Sequence, residues 1–217
     1  MADFLPIYNS TLKKEGGYQA DPSDSANYCY SYIKGKRTRG ALIGTNKGIS
    51  ATALQVYLKR CPTVAEIKAI TPELAYKIFK ANYWDKIQGS LIKDQSVAQM
   101  IFQMRIGSGN LVHCRQAINL LCLQVFKKKL IYESGMNMQV PANWQYEFIP
   151  SSINVINSLP AEKLFNTLKT AHSAYYDKII KNDPKLEKFE TGWKNRLASI
   201  EYTPAEKIGG IGGFFLP

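Results

Sequence analysis

A helical spacing of apolar residues over 3–14, with Phe4, Leu5, Ile7, Tyr8 and Leu12 among polar neighbours, runs directly into Glu15-Gly16-Gly17. Glycine takes φ > 0 without strain and is a natural helix terminator, so the chain is forced out of the helix here. The residue at the break is a carboxylate, placed at the negative end of the helix dipole where a cation is favoured. Two readings follow. Glu15 is a solvated helix-end residue, or its carboxyl group is held protonated, as a general acid must be at neutral pH. Departures from a local rule concentrate at functional sites. Two further carboxylates follow closely, in Asp21-Pro22-Ser23-Asp24.

The rest of the chain is mostly of helical period. Residues 16–49 are the exception: rich in Gly, Ser, Tyr and basic side chains, they read as loop with a small hairpin around Tyr28–Ile33 and Ala41–Ile43. Ser50 caps a helix bearing Leu54, Tyr57 and Leu58, Thr63-Val64-Ala65-Glu66 is a capping box, and Thr71-Pro72 opens a third helix. Val97, Met100, Ile101 and Met104 stripe a helix that Gly107-Ser108-Gly109 ends, and Leu111, Cys114, Ile118, Leu121 and Val125 stripe the next. From Lys127 to Pro150 the pattern breaks. A second helical section starts at Pro160, with Leu164, Leu168, Ala171, Tyr175 and Ile179 on one face, and Asp183-Pro184 caps a last helix. The expected fold is mainly α, in two parts: residues 1–126, and a helical C-terminal region over 127–217.

The net charge of +11 points to a polyanionic partner, bacterial cell wall or nucleic acid. The four cysteines show no C-x-x-C spacing and only two histidines exist, so zinc chemistry is disfavoured. His113 and Cys114 are adjacent, but neighbouring helical residues point about 100° apart and make a poor dyad. Free thiols suit a protein made in the cytoplasm. Met1–Pro6 lacks a basic stretch followed by an apolar one, so no secretory signal is expected. The longest apolar run, Ala117–Phe126, is too short to span a bilayer.

The blocks Glu15-Gly16-Gly17-Tyr18, Asp21-Pro22-Ser23-Asp24 and Thr45-Asn46-Lys47-Gly48-Ile49-Ser50 resemble glycoside hydrolase family 108, the phage and bacterial N-acetylmuramidases. Tyr83-Trp84-Asp85-Lys86-Ile87, Ile106-Gly107-Ser108-Gly109 and Phe189-Glu190-Thr191-Gly192-Trp193-Lys194-Asn195-Arg196 continue the resemblance in family order. It implies a lysozyme-like helical catalytic domain and cleavage of the β-1,4 bond between N-acetylmuramic acid and N-acetylglucosamine in peptidoglycan. It also implies a C-terminal region that binds peptidoglycan or simply packs on the catalytic part.

Glycoside hydrolysis needs an acid and a second group across an oxocarbenium-like state. Glu15 is the candidate acid and Asp24 the candidate second carboxylate, with Asp21 its rival. A helix-end Glu, then an Asp, then a Thr also resembles coliphage-type lysozymes, which gives Thr45 a water-positioning role. Tyr18, Tyr83 and Trp84 are candidates to stack on sugar faces, and Tyr83 and Trp84 are equally candidate core. Asn46 and Gln103 offer amides to acetamido groups. A lytic transglycosylase using the same acid stays open. No metal or cofactor is called for, and nucleic acid is the weaker partner because the basic residues follow no nucleic-acid-binding module.

Ser25–Leu42 interrupts the family pattern, which runs almost directly from D-P-x-D into G-G-x-T-N. With its tyrosines and basic residues it is a substrate-facing lid or a solvated insertion. An endolysin of a phage or prophage is the implied biology, reaching the wall through holin-type membrane pores, by lysis, or in a virion. The competing class is a non-catalytic wall-binding or virion protein that keeps the fold.

Overall fold

The computed structural model describes residues 1–12, 16–33, 36–131 and 147–204. Glu15, the candidate acid, lies outside the described residues, as do the tail from Ala205 and the stretch 132–146. The chain divides by its contacts into two compact units, Asp3–Lys86 and Ile87–Pro217 with Met1–Ala2. The division thus falls after Lys86, whereas the break in periodicity put the expected boundary after Phe126. The reason is that the helices over 95–126 share their apolar faces with the helix over 161–182, inside one unit.

The first unit is built from short pieces. Asp3 caps α1 (Phe4–Ile7), and the turn then widens to a π-helical stretch over Tyr8–Leu12. Strands β1 (Tyr28–Ile33) and β2 (Lys36–Leu42) form an antiparallel ribbon, longer than the sequence suggested. Strands β3 (Thr45–Asn46) and β4 (Ile49–Ser50) form a minimal hairpin. Its two-residue loop, Lys47-Gly48, has both φ positive, at 50° and 72°, the backbone of a type I′ turn that matches strand twist. Helices α2 (Ala51–Leu58), α3 (Val64–Lys68) and α4 (Pro72–Phe79) start where expected, on Ser50, on the reciprocal Thr63/Glu66 capping box, and on Thr71 with Pro72 at the first turn. A second widened turn, Lys80–Trp84, follows α4, with Asp85 N–H donating to the Lys80 carbonyl. The core gathers Phe4, Tyr8, Tyr76, Phe79 and Trp84.

Cys29 and Cys61 are joined in a disulfide that clamps β1 to the α2–α3 connection. This corrects the expectation of free thiols. Only Cys114 and Cys122 are free, and both are buried.

The second unit is helical: α5 (Gln95–Ser108), α6 (Val112–Phe126), α7 (Pro150–Ser158), α8 (Ala161–Asn182) and α9 (Glu190–Ala198). Asp94 caps α5, and Gly109 ends it with φ at +70°. α8 packs against both α5 and α6, which turns its buried face by one residue from the expected stripe. Leu164, Phe165, Leu168, His172 and Tyr176 point inward, while Ala171 and Tyr175 look toward a groove along α6. The segment after 146 is held by Glu147, which takes Arg105 Nε on one oxygen and Arg115 on the other, each at 2.9 Å. Among the described residues no helix is long and apolar enough to cross a membrane.

Candidate active site

The loop that leaves Gly16-Gly17 does not wander; it is laid along the β3–β4 hairpin. Gln19 and Thr45 exchange both backbone hydrogen bonds, at 2.9 and 2.8 Å, and Lys47 N–H donates to the Gly16 carbonyl at 3.0 Å. The chain immediately after Glu15 is therefore fixed against the strand that carries Thr45. Gly44 makes this approach possible. Its φ is +101°, and a Cβ there would lie 2.5 Å from the Gln19 carbonyl oxygen and 2.7 Å from the Tyr18 ring.

The polar centre of the arrangement is Asn27, fully buried and unsuspected from the sequence. Its Nδ2 donates to Gln19 Oε1 at 3.1 Å and to the Asp21 carbonyl at 2.9 Å. Its Oδ1 accepts from Thr45 Oγ1 at 2.6 Å. Its main-chain carbonyl takes both Ile43 and Gly44 N–H. One amide thus ties the D-P-S-D loop, the Gln19 strand and the Thr45 hydroxyl together. Because Thr45 spends its proton on Asn27, its oxygen lone pairs are left to accept from a water or sugar hydroxyl.

The two aspartates are differently engaged. Asp21 accepts from Ser23 N–H at 2.8 Å, an Asx turn that shapes the loop. Asp24 is exposed, and one of its oxygens accepts from Ala26 N–H at 2.9 Å as the cap of the short turn Ser25–Asn27. Tyr18 is 39 % exposed, with its hydroxyl on the Ile43 carbonyl and the Lys68 ammonium 4.7 Å above its ring. Asp21, Asp24, Thr45 and Tyr18 are thus brought together on one framework of backbone and amide bonds.

The other expected contacts fall elsewhere, for physical reasons. Trp84 is fully buried, stacked on Phe4 at 5.4 Å, and presents no face to a sugar. Asn46 is buried because its Nδ2 satisfies the Ile67 and Lys68 carbonyls at 3.0 and 3.1 Å at the end of α3. Gln103 is buried within α5 of the second unit, bonded to Tyr176. These three act in packing and capping. Tyr83 is half-buried, 5.8 Å from Phe79.

His113 and Cys114 form no dyad. The Cys114 thiol is fully buried and its pKa is pushed up by burial, while His113 turns to His172 and lies over Tyr175. Among the described residues no group of His, Cys, Asp and Glu is placed to hold a metal.

A mainly helical fold with a small β region, in which the loop from Gly16 to Asp24 is laced to a Thr-bearing hairpin, is lysozyme-like in class. Residues 8–109, a little under half of the chain, match the family model described as glycosyl hydrolase 108. Over nearly its whole length the chain also resembles a solved structure, that of Brucella abortus SagA. The identity is 22 % over 91 % of this chain and 90 % of that one, with a TM-score of 0.61. That likeness concerns the fold. No curated protein matches the chain.

Proposed function

We propose that this protein is a glycoside hydrolase, an N-acetylmuramidase that cuts the β-1,4 bond between N-acetylmuramic acid and N-acetylglucosamine in peptidoglycan. The observation that supports it most is the lacing of the loop after Glu15 onto Thr45 through Gln19 and Asn27, within the stretch that matches the family. Glu15 gives its proton to the leaving oxygen. Asp24, exposed on the adjoining loop, supports the opposite side of the sugar, and Thr45, aimed by Asn27, holds the attacking water. Tyr18 offers its exposed ring to a sugar face. The C-terminal helical region over 127–217 is proposed as a wall-binding region.

The biological setting that fits is a phage or prophage endolysin, which meets the wall outside the cytoplasm after pore formation, lysis or virion delivery. The Cys29–Cys61 bridge suits such an oxidising place of work.

Mass analysis of the fragments released from purified peptidoglycan tests the reading. Hydrolysed muramic acid ends are expected. Anhydro-muramic ends would make the enzyme a lytic transglycosylase, and intact walls of several compositions would leave a binding protein.

A further inference from the structure

The β1–β2 ribbon has no part in the chemistry just described, yet it is built with care. All of β2 is exposed, including Lys36, Arg37 and Arg39. Arg37 and Arg39 alternate along the strand and so share a face. Each guanidinium lies over a tyrosine of β1: Arg37 3.6 Å from the centre of the Tyr30 ring and Arg39 4.6 Å from that of Tyr28. Neither has a carboxylate partner among the described residues. A ring beneath a guanidinium restrains it while leaving its N–H edge open, the form that takes an oxyanion in a two-pronged contact.

The ribbon is also firmly mounted. Cys29 is bonded to Cys61. The Gln55 side chain on α2 pairs with both the N–H and the carbonyl of Tyr30, in the manner of a further strand. Gly40 lets β2 close on Cys29, for a Cβ there would lie 2.9 Å from the sulfur. Most telling is where the two tyrosines end. Tyr28 donates its hydroxyl to the Pro22 carbonyl at 3.2 Å, and Tyr30 to the Ser25 carbonyl at 2.9 Å, on either side of Asp24. The rings that carry the arginines are thus hydrogen-bonded to the loop that carries the second catalytic candidate.

We propose that this ribbon is a substrate-binding arm, on which Arg37 and Arg39 grip carboxylates of the glycan strand being cut. The inference rests on the muramidase reading for the identity of the strand. A polymer seated on the Asp24 loop continues onto the arm, and the muramic acid units of that polymer bear carboxylates on their lactyl groups or peptide stems.

The test is binding of labelled, uncrosslinked peptidoglycan strands to the native protein and to R37Q/R39Q, beside the same strands with their carboxylates converted to amides. A solvent-exposed pair of such contacts is expected to give roughly a five- to ten-fold loss of affinity in the variant. Amidated strands should bind both proteins equally, because no carboxylate is left for either arginine to grip. That second arm needs no mutant and stands even if the variant folds poorly. Equal affinity of the native protein for native and amidated strands would overturn the proposal. So would tighter binding of poly(glycerol phosphate) than of the strands, lost in R37Q/R39Q, which would make the arm a phosphodiester reader. Failure of the muramidase reading shows separately, as walls left uncut, because the binding measurement does not depend on cleavage.

Discussion

The two units are held together by different means. Among the described residues of 3–86 no α-helix exceeds 8 residues, and the shape comes from point ties: a disulfide, the buried Asn27 amide, the Gln55 bridge and a glycine with φ at +101°. Residues 87–204 rely on long helices with apolar stripes, the 22-residue α8 lying against α5 and α6. Point ties set geometry at particular atoms, which a reacting centre needs. Stripes set bulk stability and tolerate drift. The histidine pair of the helical unit is likewise a packing matter. His113 Nε2 and His172 Nδ1 meet at 3.1 Å, and His172 Nε2 is buried with no hydrogen-bond partner.

The contrast breaks most visibly at the disulfide. A bridge closing a separation of 32 residues contributes about 3–4 kcal/mol, chiefly by restricting the unfolded chain. Cys29→Ser with Cys61→Ser should lower the stability of the first unit by about that much. Amide exchange should rise over Tyr28–Leu42 and stay unchanged in α8; equal loosening of both would erase the distinction between the units.

Acid should strike the other unit first. Burial lowers the pKa of His113 to about 4 and that of His172 to about 3, the latter helped by the repulsion it would meet from a protonated His113. A histidine depressed in the fold contributes full stability above its unfolded value near 6.5. The contribution is lost as pH falls, because the unfolded chain takes up the proton first. We expect a loss of about 3 kcal/mol between pH 6.5 and 4.5, followed by thermal melts, and a flatter profile in His172→Phe.

Asn27→Ala leaves the Thr45 hydroxyl without its acceptor and the Gln19 amide with only the Asp21 N–H, at a cost of about 2 kcal/mol. If the lacing serves the chemistry, sugar release should fall further than stability does, measured well below the melting temperature. The smallest effect belongs to Gly107→Ala, whose Cβ would come 3.1 Å from His172 Nε2 and cost about 1 kcal/mol in a chemical melt.

The same contrast governs what could be read from the sequence. Helix starts at Ser50, Thr63 and Thr71 were legible because a cap is a local device, written in adjacent residues. So was the end of α5 at Gly109. The inward face of α8 was not, since a helix touching two partners buries a wider and turned arc than a single stripe suggests. Nor was the Cys29–Cys61 pairing, because four cysteines allow three pairings and spacing does not choose among them. Asn27 gave no signal at all. A buried amide hub is defined by what converges on it from residues 19, 21 and 45, and none of that is local. Trp84 and Asn46 lie in the blocks that carried the resemblance, yet one fills the core and the other caps α3.

We propose Glu15 as the acid that gives its proton to the glycosidic oxygen, just ahead of the loop laced to the β3–β4 hairpin. Release of reducing ends from peptidoglycan by the native protein and by Glu15→Gln, each shown to be folded and to bind walls equally, tests it most directly. Loss of the acid should slow release by about 10²–10⁴-fold with binding intact. A variant that cuts as fast as the native protein would remove Glu15 from that role.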